Sequence, residues 1–560
     1  MDAPKPHFAV RLLPSLTDVA FLMPLAFLFL RMGGATGMLG DGDTGWHVRT
    51  GEWILANHRI PSQDIFSYTK AGQQWFAWEW LWDLAFAWLY QHGGMAAVVL
   101  VSMLVICVTS VLLFRLICRK CGNPLLAIGV MFFVTGASSI HWLARPHLFT
   151  LLFTVIFYSI LERAKEDGRV RLLWWLPALT VIWTNMHGGF FVGIILAGAY
   201  AAGEIADGLF AADANQRPLA FRRSVPYLAT AAGCLAATLI NPYSYHLHVR
   251  IYEHLSDKYW YKTVIEFQSF DFHHPAAFYF EPMLVLGLAA AVWSLYHRQY
   301  VYTILLAGWA HLALAVVRNE PIYMMLVGPP VALMLQSLLQ ELPGKNIAAW
   351  ARAWAEKAAS FTGAFGVNDR MPRWHLTSGM AAGLTIALFY APNAPAKCRA
   401  EYDVTRYPSK AIDVLRQGGS PKIIFADDEW GDYLIYRLYP ENRVFIDGRL
   451  DFYGSKFSQV CDDVINVRYG WEKILDKYHV NTILLSPNTA LASTLKESRR
   501  WHPIYDDGVA IVFRANQDRG AAVDQVSAVS RDGKDRDRKV TKSQTSDLTI
   551  TKSNSRSEPS

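Results

Sequence analysis

The residues best suited to chemistry come early, in Gly40-Asp41-Gly42-Asp43-Thr44-Gly45-Trp46-His47. Two carboxylates one residue apart, in glycine-rich backbone that bends tightly, can converge on one divalent cation. They can also serve glycosyl transfer, where a carboxylate takes the acceptor's proton while a cation neutralises the leaving phosphate. The plain alternative is a solvated acidic turn. His47 falls in the first turn of a helix expected over 46–56, and Trp46 suits a membrane–water boundary.

Other polar groups are candidates to line the same site. Glu79 and Asp83 are four apart and share one face of a helix expected over 74–90, which could equally be its wet face. Arg145 with His147, and Arg318 with Glu320, flank loops where an arginine can clamp a phosphate bidentately; headgroup contact or an Arg–Glu pair would use the same residues. His187, in a glycine-rich reversal, is a site wall or a hydrogen-bonded structural histidine. His311 is the ionisable residue set deepest in an apolar run. Trp430, within Asp427-Asp428-Glu429-Trp430-Gly431-Asp432-Tyr433, and Asp447-Gly448-Arg449 each follow an expected strand, where α/β folds place binding groups, although Asp447-Gly448 also suits a turn.

The elements that must carry these residues are mostly membrane spans. Of 560 residues 52% are hydrophobic and 18% charged, with the apolar residues in long blocks, which points to a polytopic α-helical membrane protein. Apolar runs at 19–32, 95–114, 124–140, 147–161, 172–184, 190–209, 225–240, 276–296, 299–317, 321–339 and 376–391 predict about eleven transmembrane helices. The first follows Lys5 and Arg11 without a clean cleavage site and reads as an uncleaved helix. A net charge of +6 is modest, and no zinc-finger spacing, Walker loop or dinucleotide fingerprint occurs, so nothing points to nucleic acid.

Lysine and arginine orient the bundle. With the N-terminus cytoplasmic, the short inside loops hold Arg115, Arg119 and Lys120; Arg163, Lys165, Arg169 and Arg171; Arg217, Arg222 and Arg223; and Arg298, whereas the short outside loops hold only Arg145 and Arg318. Asp41, Asp43, His147, His187 and Glu320 then share the outer face. The expected layout is a transmembrane domain over 1–395 with a long first outside loop (33–94), an extracytoplasmic α/β domain over 400–516, and a disordered polar tail over 517–560. In the α/β domain, strands are expected at 422–425, 443–446, 481–485 and 509–513, and helices at 409–417, 431–439 and 469–477. Cys398 and Cys461 could pair there.

This order of parts resembles the GT-C superfamily of integral-membrane glycosyltransferases. The stretch DGDTGWHVRTGEWILANHRIP (41–61) is similar to the first-loop signature of bacterial relatives, and FADDEWGDYLIYRLYPENRVFIDGRLDFY (425–453) to part of their outer domains. The second lies where oligosaccharyltransferase catalytic subunits carry W-W-D-Y-G, but no W-W-D is present, so the resemblance does not extend to an N-glycosylation sequon. It implies a polyprenyl-phosphate-linked sugar donor, an extracytoplasmic glycan, lipid or protein acceptor, Asp41 or Asp43 as base or as ligand to Mg²⁺ or Mn²⁺, and Arg318 at the lipid phosphate. The implied setting is a bacterial inner membrane. Two other readings are a transporter or flippase of a lipid-linked glycan, which needs polar residues along the spans, and a non-catalytic glycan-binding assembly protein.

Overall fold

The computed structural model describes residues 8–213, 215–341, 349–369, 371–417 and 422–516. The expected disordered tail lies outside them. Seven described helices are long and apolar enough to cross a membrane: Val10–Arg31, Trp80–Cys121, Pro124–His141, His147–Asp167, Gly188–Leu209, Ala277–Tyr296 and Val317–Glu341. Of the four other expected spans, 172–184 becomes a helix of 12 residues, Trp175–Met186. At ~1.5 Å per residue it reaches only about 18 Å, short of a ~30 Å hydrocarbon core. Tyr300–Ala315 and Leu376–Phe389 are also short, and Gln216–Ala237 begins with Arg217, Arg222 and Arg223. His311 is exposed on the outer side of its helix rather than facing a path through the bundle.

The first loop is positioned by two close approaches. Its helix Asp43–Asn57 starts three residues earlier than expected, so Asp43 occupies the first turn, where backbone N–H groups favour an anion. One face packs on the long helix Trp80–Cys121. A Cβ on Gly51 would strike the carbonyl oxygen of Asp83, so glycine permits a crossing that brings His47 to Asp83. Gly51→Ala should therefore cost about 1–3 kcal/mol through overpacking. This would appear as a lower Tm of the purified protein; an unchanged Tm would contradict the close crossing. The other face meets the C-terminal helix Asp428–Leu438, where Arg49 Nε and Nη2 donate to the Tyr436 carbonyl at 2.9 and 2.6 Å.

The Trp80–Cys121 helix has 42 residues and breaks at Gly94 (φ 65°, ψ −166°), which separates an aromatic segment from the span. The aromatic segment starts at Trp80, not at 74, because Gln74 instead bridges Gln63.

The C-terminal part carries a mixed sheet of β1 (Ile424–Phe425), β2 (Thr482–Leu485), β3 (Trp501–Asp506) and β4 (Ile511–Ala515), in the order β1-β2-β4-β3. β1 and β2 are parallel and the other pairs antiparallel. β3 is not among the expected strands; its Pro503 is tolerated because β3 lies at the sheet edge, where the register shifts. The segment expected as a strand at 443–446 forms only bridges at Val444, one to Ile424 and one to Ser67 of the first loop. Tyr68 N–H donates to the Val444 carbonyl and Val444 N–H to that of Phe66, each at 3.0 Å. The first loop thus extends the C-terminal sheet. Asp427 caps the helix Asp428–Leu438 by accepting from Trp430 N–H at 2.8 Å, which aims Asp432 at the first loop. Cys398 and Cys461 form no disulfide; both are buried thiols.

Candidate active site

Asp41 and Asp43 both converge on Arg145. Arg145 Nη1 donates to Asp41 Oδ2 at 2.6 Å, and Nη2 pairs with Asp43 Oδ2. The two loops are locked together by backbone: Ala144 N–H donates to the Met38 carbonyl at 2.8 Å, and Thr44 Oγ1 to that of Ala144 at 3.1 Å. Glu266 links the second arginine, with Oε1 at 3.4 Å from Arg145 Nη1 and Oε2 at 3.8 Å from Arg318 Nη1. Burial acts to raise Glu266, but Arg318 and Arg145 outweigh it and hold the group at about 2.

A third carboxylate arrives from the C-terminal helix. Asp432 is buried, accepts from Gly448 N–H at 2.8 Å, and meets Asp43. A Cβ at Gly448 would come within 2.5 Å of both Asp43 Oδ1 and Asp432 Oδ2, so only glycine leaves this cradle open. Burial, with Asp43 and Asp447 adding to it, pushes Asp432 well above the usual carboxylate range. Burial likewise raises Asp41, against the pull of Arg145. Four carboxylates (Asp41, Asp43, Asp432, Glu266) and two guanidinium groups (Arg145, Arg318) make up this cluster, so two negative charges are uncompensated when all are ionised.

Asp41 Oδ1 is buried without a hydrogen-bond partner, and Asp43 and Asp432 present oxygens to one cradle. Among the described residues no three His, Cys, Asp or Glu side chains form a complete ligand cage. Such a donor set suits a divalent cation that takes one or two carboxylates and completes its shell with water and substrate oxygens.

Beside this group runs a second array. His47 Nδ1 lies 2.6 Å from Asp83 Oδ1, and His47 Nε2 lies 3.5 Å from Glu79 Oε2. Glu79 Oε1 is 3.7 Å from His187 Nε2, while His187 Nδ1 faces Thr150 Oγ1 at 2.7 Å. The shared face of Glu79 and Asp83 is therefore an inner one. His147 is spent on its own loop, its Nε2 at 2.5 Å from the His141 carbonyl.

Four expected site residues fall elsewhere. Arg449 is 2% exposed and donates to Asp447 Oδ1 and Oδ2 and to Asp64 Oδ1, each at 2.7 Å, beneath the Trp75 ring at 4.4 Å. With Asp447 it forms an internal clamp between the C-terminal part and Asp64 of the first loop, not a binding surface. Trp430 is also interior, its Nε1–H donating to the Arg406 carbonyl at 3.1 Å. Glu320 does not pair with Arg318; it is fully buried and neither carboxylate oxygen has a hydrogen-bond partner. Asp432 and Glu266 were not singled out from sequence. Asp432 stood within a conspicuous acidic stretch, but its partner Asp43 lies at the other end of the chain.

No protein-family model matches the chain, and no curated protein matches it. Solved structures do. The apo crystal structure of the Archaeoglobus fulgidus oligosaccharyltransferase superposes with a TM-score of 0.51 at 12% identity, covering 84% of this chain and 69% of that one. The same enzyme in complex with zinc and sulfate gives a TM-score of 0.49 at 12% identity, covering 84% and 68%. The likeness is one of fold: a helical membrane part and a C-terminal part arranged as in that oligosaccharyltransferase. It agrees with the distant GT-C resemblance read from the first loop and the 425–453 stretch.

Proposed function

We propose that this protein is an integral-membrane glycosyltransferase that moves a sugar from a polyprenyl-phosphate-linked donor to an extracytoplasmic glycan, lipid or protein acceptor. The observation that carries this reading is the pair Asp41 and Asp43 on Arg145, with Asp432 meeting Asp43 at the seam between the first loop and the helix Asp428–Leu438. Arg145 and Arg318 lie on either side of Glu266, the spacing of donors that a lipid phosphate would bridge. Glu266 keeps both cationic side chains in place before the phosphate arrives. Asp43, with Asp41 or Asp432 beside it, would hold Mg²⁺ or Mn²⁺, which when bound would neutralise charge on the leaving phosphate.

The lysine and arginine pattern supports a cytoplasmic N-terminus in a bacterial inner membrane, with the residues from about 400 to 516 forming an extracytoplasmic domain after a membrane domain ending near 395. Nucleotide sugars are absent on that side, so a lipid phosphate is the natural leaving group.

Calorimetry on the purified protein tests the charged group. Wild type should bind Mn²⁺, and more tightly, by at least about tenfold, once a polyprenyl phosphate is present, because the phosphate adds oxygen ligands. Asp41→Ala/Asp43→Ala should lose that binding. Lipid-phosphate binding with no metal uptake and no effect of the double substitution would overturn the cation site and favour a carrier.

A further inference from the structure

Asp41 and Asp43 are engaged by Arg145, so neither is placed to receive a proton freely. Glu79 is different. It immediately precedes the Trp80–Cys121 helix, is 15% exposed, and sets one carboxylate oxygen toward each of two imidazoles at 3.5 and 3.7 Å, too far for a committed hydrogen bond. Those imidazoles have opposite roles. Gly189 N–H donates to His187 Nδ1 at 3.1 Å, so that nitrogen accepts and Nε2–H points at Glu79 Oε1. With Asp83 ionised, His47 Nδ1–H donates to it at 2.6 Å, and the His47 Nε2 lone pair then points at Glu79 Oε2. One side of Glu79 is steadied by a donor, and the other meets an acceptor for a carboxylic acid proton.

We infer that Glu79 is the catalytic base for the acceptor, with His47, Asp83 and His187 as positioning residues. The inference rests on the transferase reading above. In the step, the acceptor's O–H oxygen forms a bond to the anomeric carbon and the bond from that carbon to the lipid-phosphate oxygen breaks. The acceptor's proton passes to Glu79, where His47 Nε2 can accept it in a hydrogen bond, and the bond pair leaves with the phosphate beside Arg145 and Arg318. Burial lifts Glu79 to about 8, with Asp451 and Asp43 adding to the rise and Arg145 and Arg318 opposing it. Burial, with Arg145 and His187, keeps His47 neutral and able to accept.

The test uses full-length protein in detergent with synthetic polyprenyl-monophosphate and polyprenyl-diphosphate sugars, following release of the free lipid phosphate. The ionised form of Glu79 is the active one, so wild-type transfer should rise with pH and level off above about 8. Glu79→Gln should lower transfer by about 10²-fold or more and flatten that rise, with Tm and polyprenyl-phosphate binding unchanged. Glu79→Asp should restore part of the rate together with the pH rise. A Glu79→Gln protein that transfers like wild type overturns the assignment and leaves the transferase reading standing, whereas a wild type that releases lipid phosphate from no donor overturns both. Independently of any donor, infrared difference spectra of wild type minus Glu79→Gln should show a carboxylic acid band that disappears as pH rises through about 8. No such band at any pH would overturn the assignment.

Discussion

Asp43→Asn should reduce sugar transfer by about 10²- to 10⁴-fold while leaving the protein folded. Asn keeps the shape and still offers an oxygen to Trp46 Nε1–H, which Asp43 Oδ1 accepts at 3.2 Å. What disappears is charge. Arg145 would remain paired with Asp41 and near Glu266, so the guanidinium is not orphaned, but it loses one of the two carboxylates that fix its orientation. The cradle beside Gly448 would lose an anionic oxygen that faces Asp432. Release of polyprenyl phosphate from a labelled donor measures the effect, and unchanged Tm separates it from unfolding. Transfer within a factor of two of wild type would show that Asp43 is only part of a turn.

Arg449→Ala should destabilise the protein by about 3–5 kcal/mol, because it leaves Asp447 and Asp64 buried without their shared cation. The loss is not only electrostatic. The guanidinium lies within 4.4–5.9 Å of the ring centres of Trp75, Phe66, Phe452 and Tyr453, so its removal also opens a cavity lined by aromatic side chains. Since Asp64 belongs to the first loop, the same change should free that loop from the C-terminal part. Protease nicking between residues 58 and 79 should then appear at temperatures where wild type is resistant. A variant with wild-type Tm and an uncut loop would contradict the clamp.

The parts legible in the sequence were those whose signal is local. Asp41 and Asp43 stood out because the pair, its glycines and the following helix are contiguous, and the longest spans stood out by apolar length alone. A helix was legible over 431–439, where the helix Asp428–Leu438 lies, and its packing on the first-loop helix was not. Three features escaped for one physical reason, that their partners are distant along the chain. Asp432 needs Asp43, Arg449 needs Asp64, and Val444 is half a strand until Phe66 and Tyr68 supply the other edge. A residue such as Arg449, written in a loop after a strand, looks like a ligand contact until its two carboxylates are located. Of the four weaker spans, Trp175–Met186, Leu376–Phe389 and Tyr300–Ala315 form short helices, and Gln216–Ala237 opens with Arg217, Arg222 and Arg223, since an apolar run says how much surface must be buried and not where a helix starts or stops.

The most direct measurement is release of free polyprenyl phosphate by the purified wild-type protein from a panel of polyprenyl-phosphate-linked sugars, with an envelope extract as acceptor and Asp43→Asn as control. Wild type should release it, with the sugar recovered on the acceptor, and Asp43→Asn should lose about 10²-fold or more. Binding of these lipids with no release of phosphate, equal in the two proteins, would contradict the transferase reading and identify the chain as a binding or carrier protein.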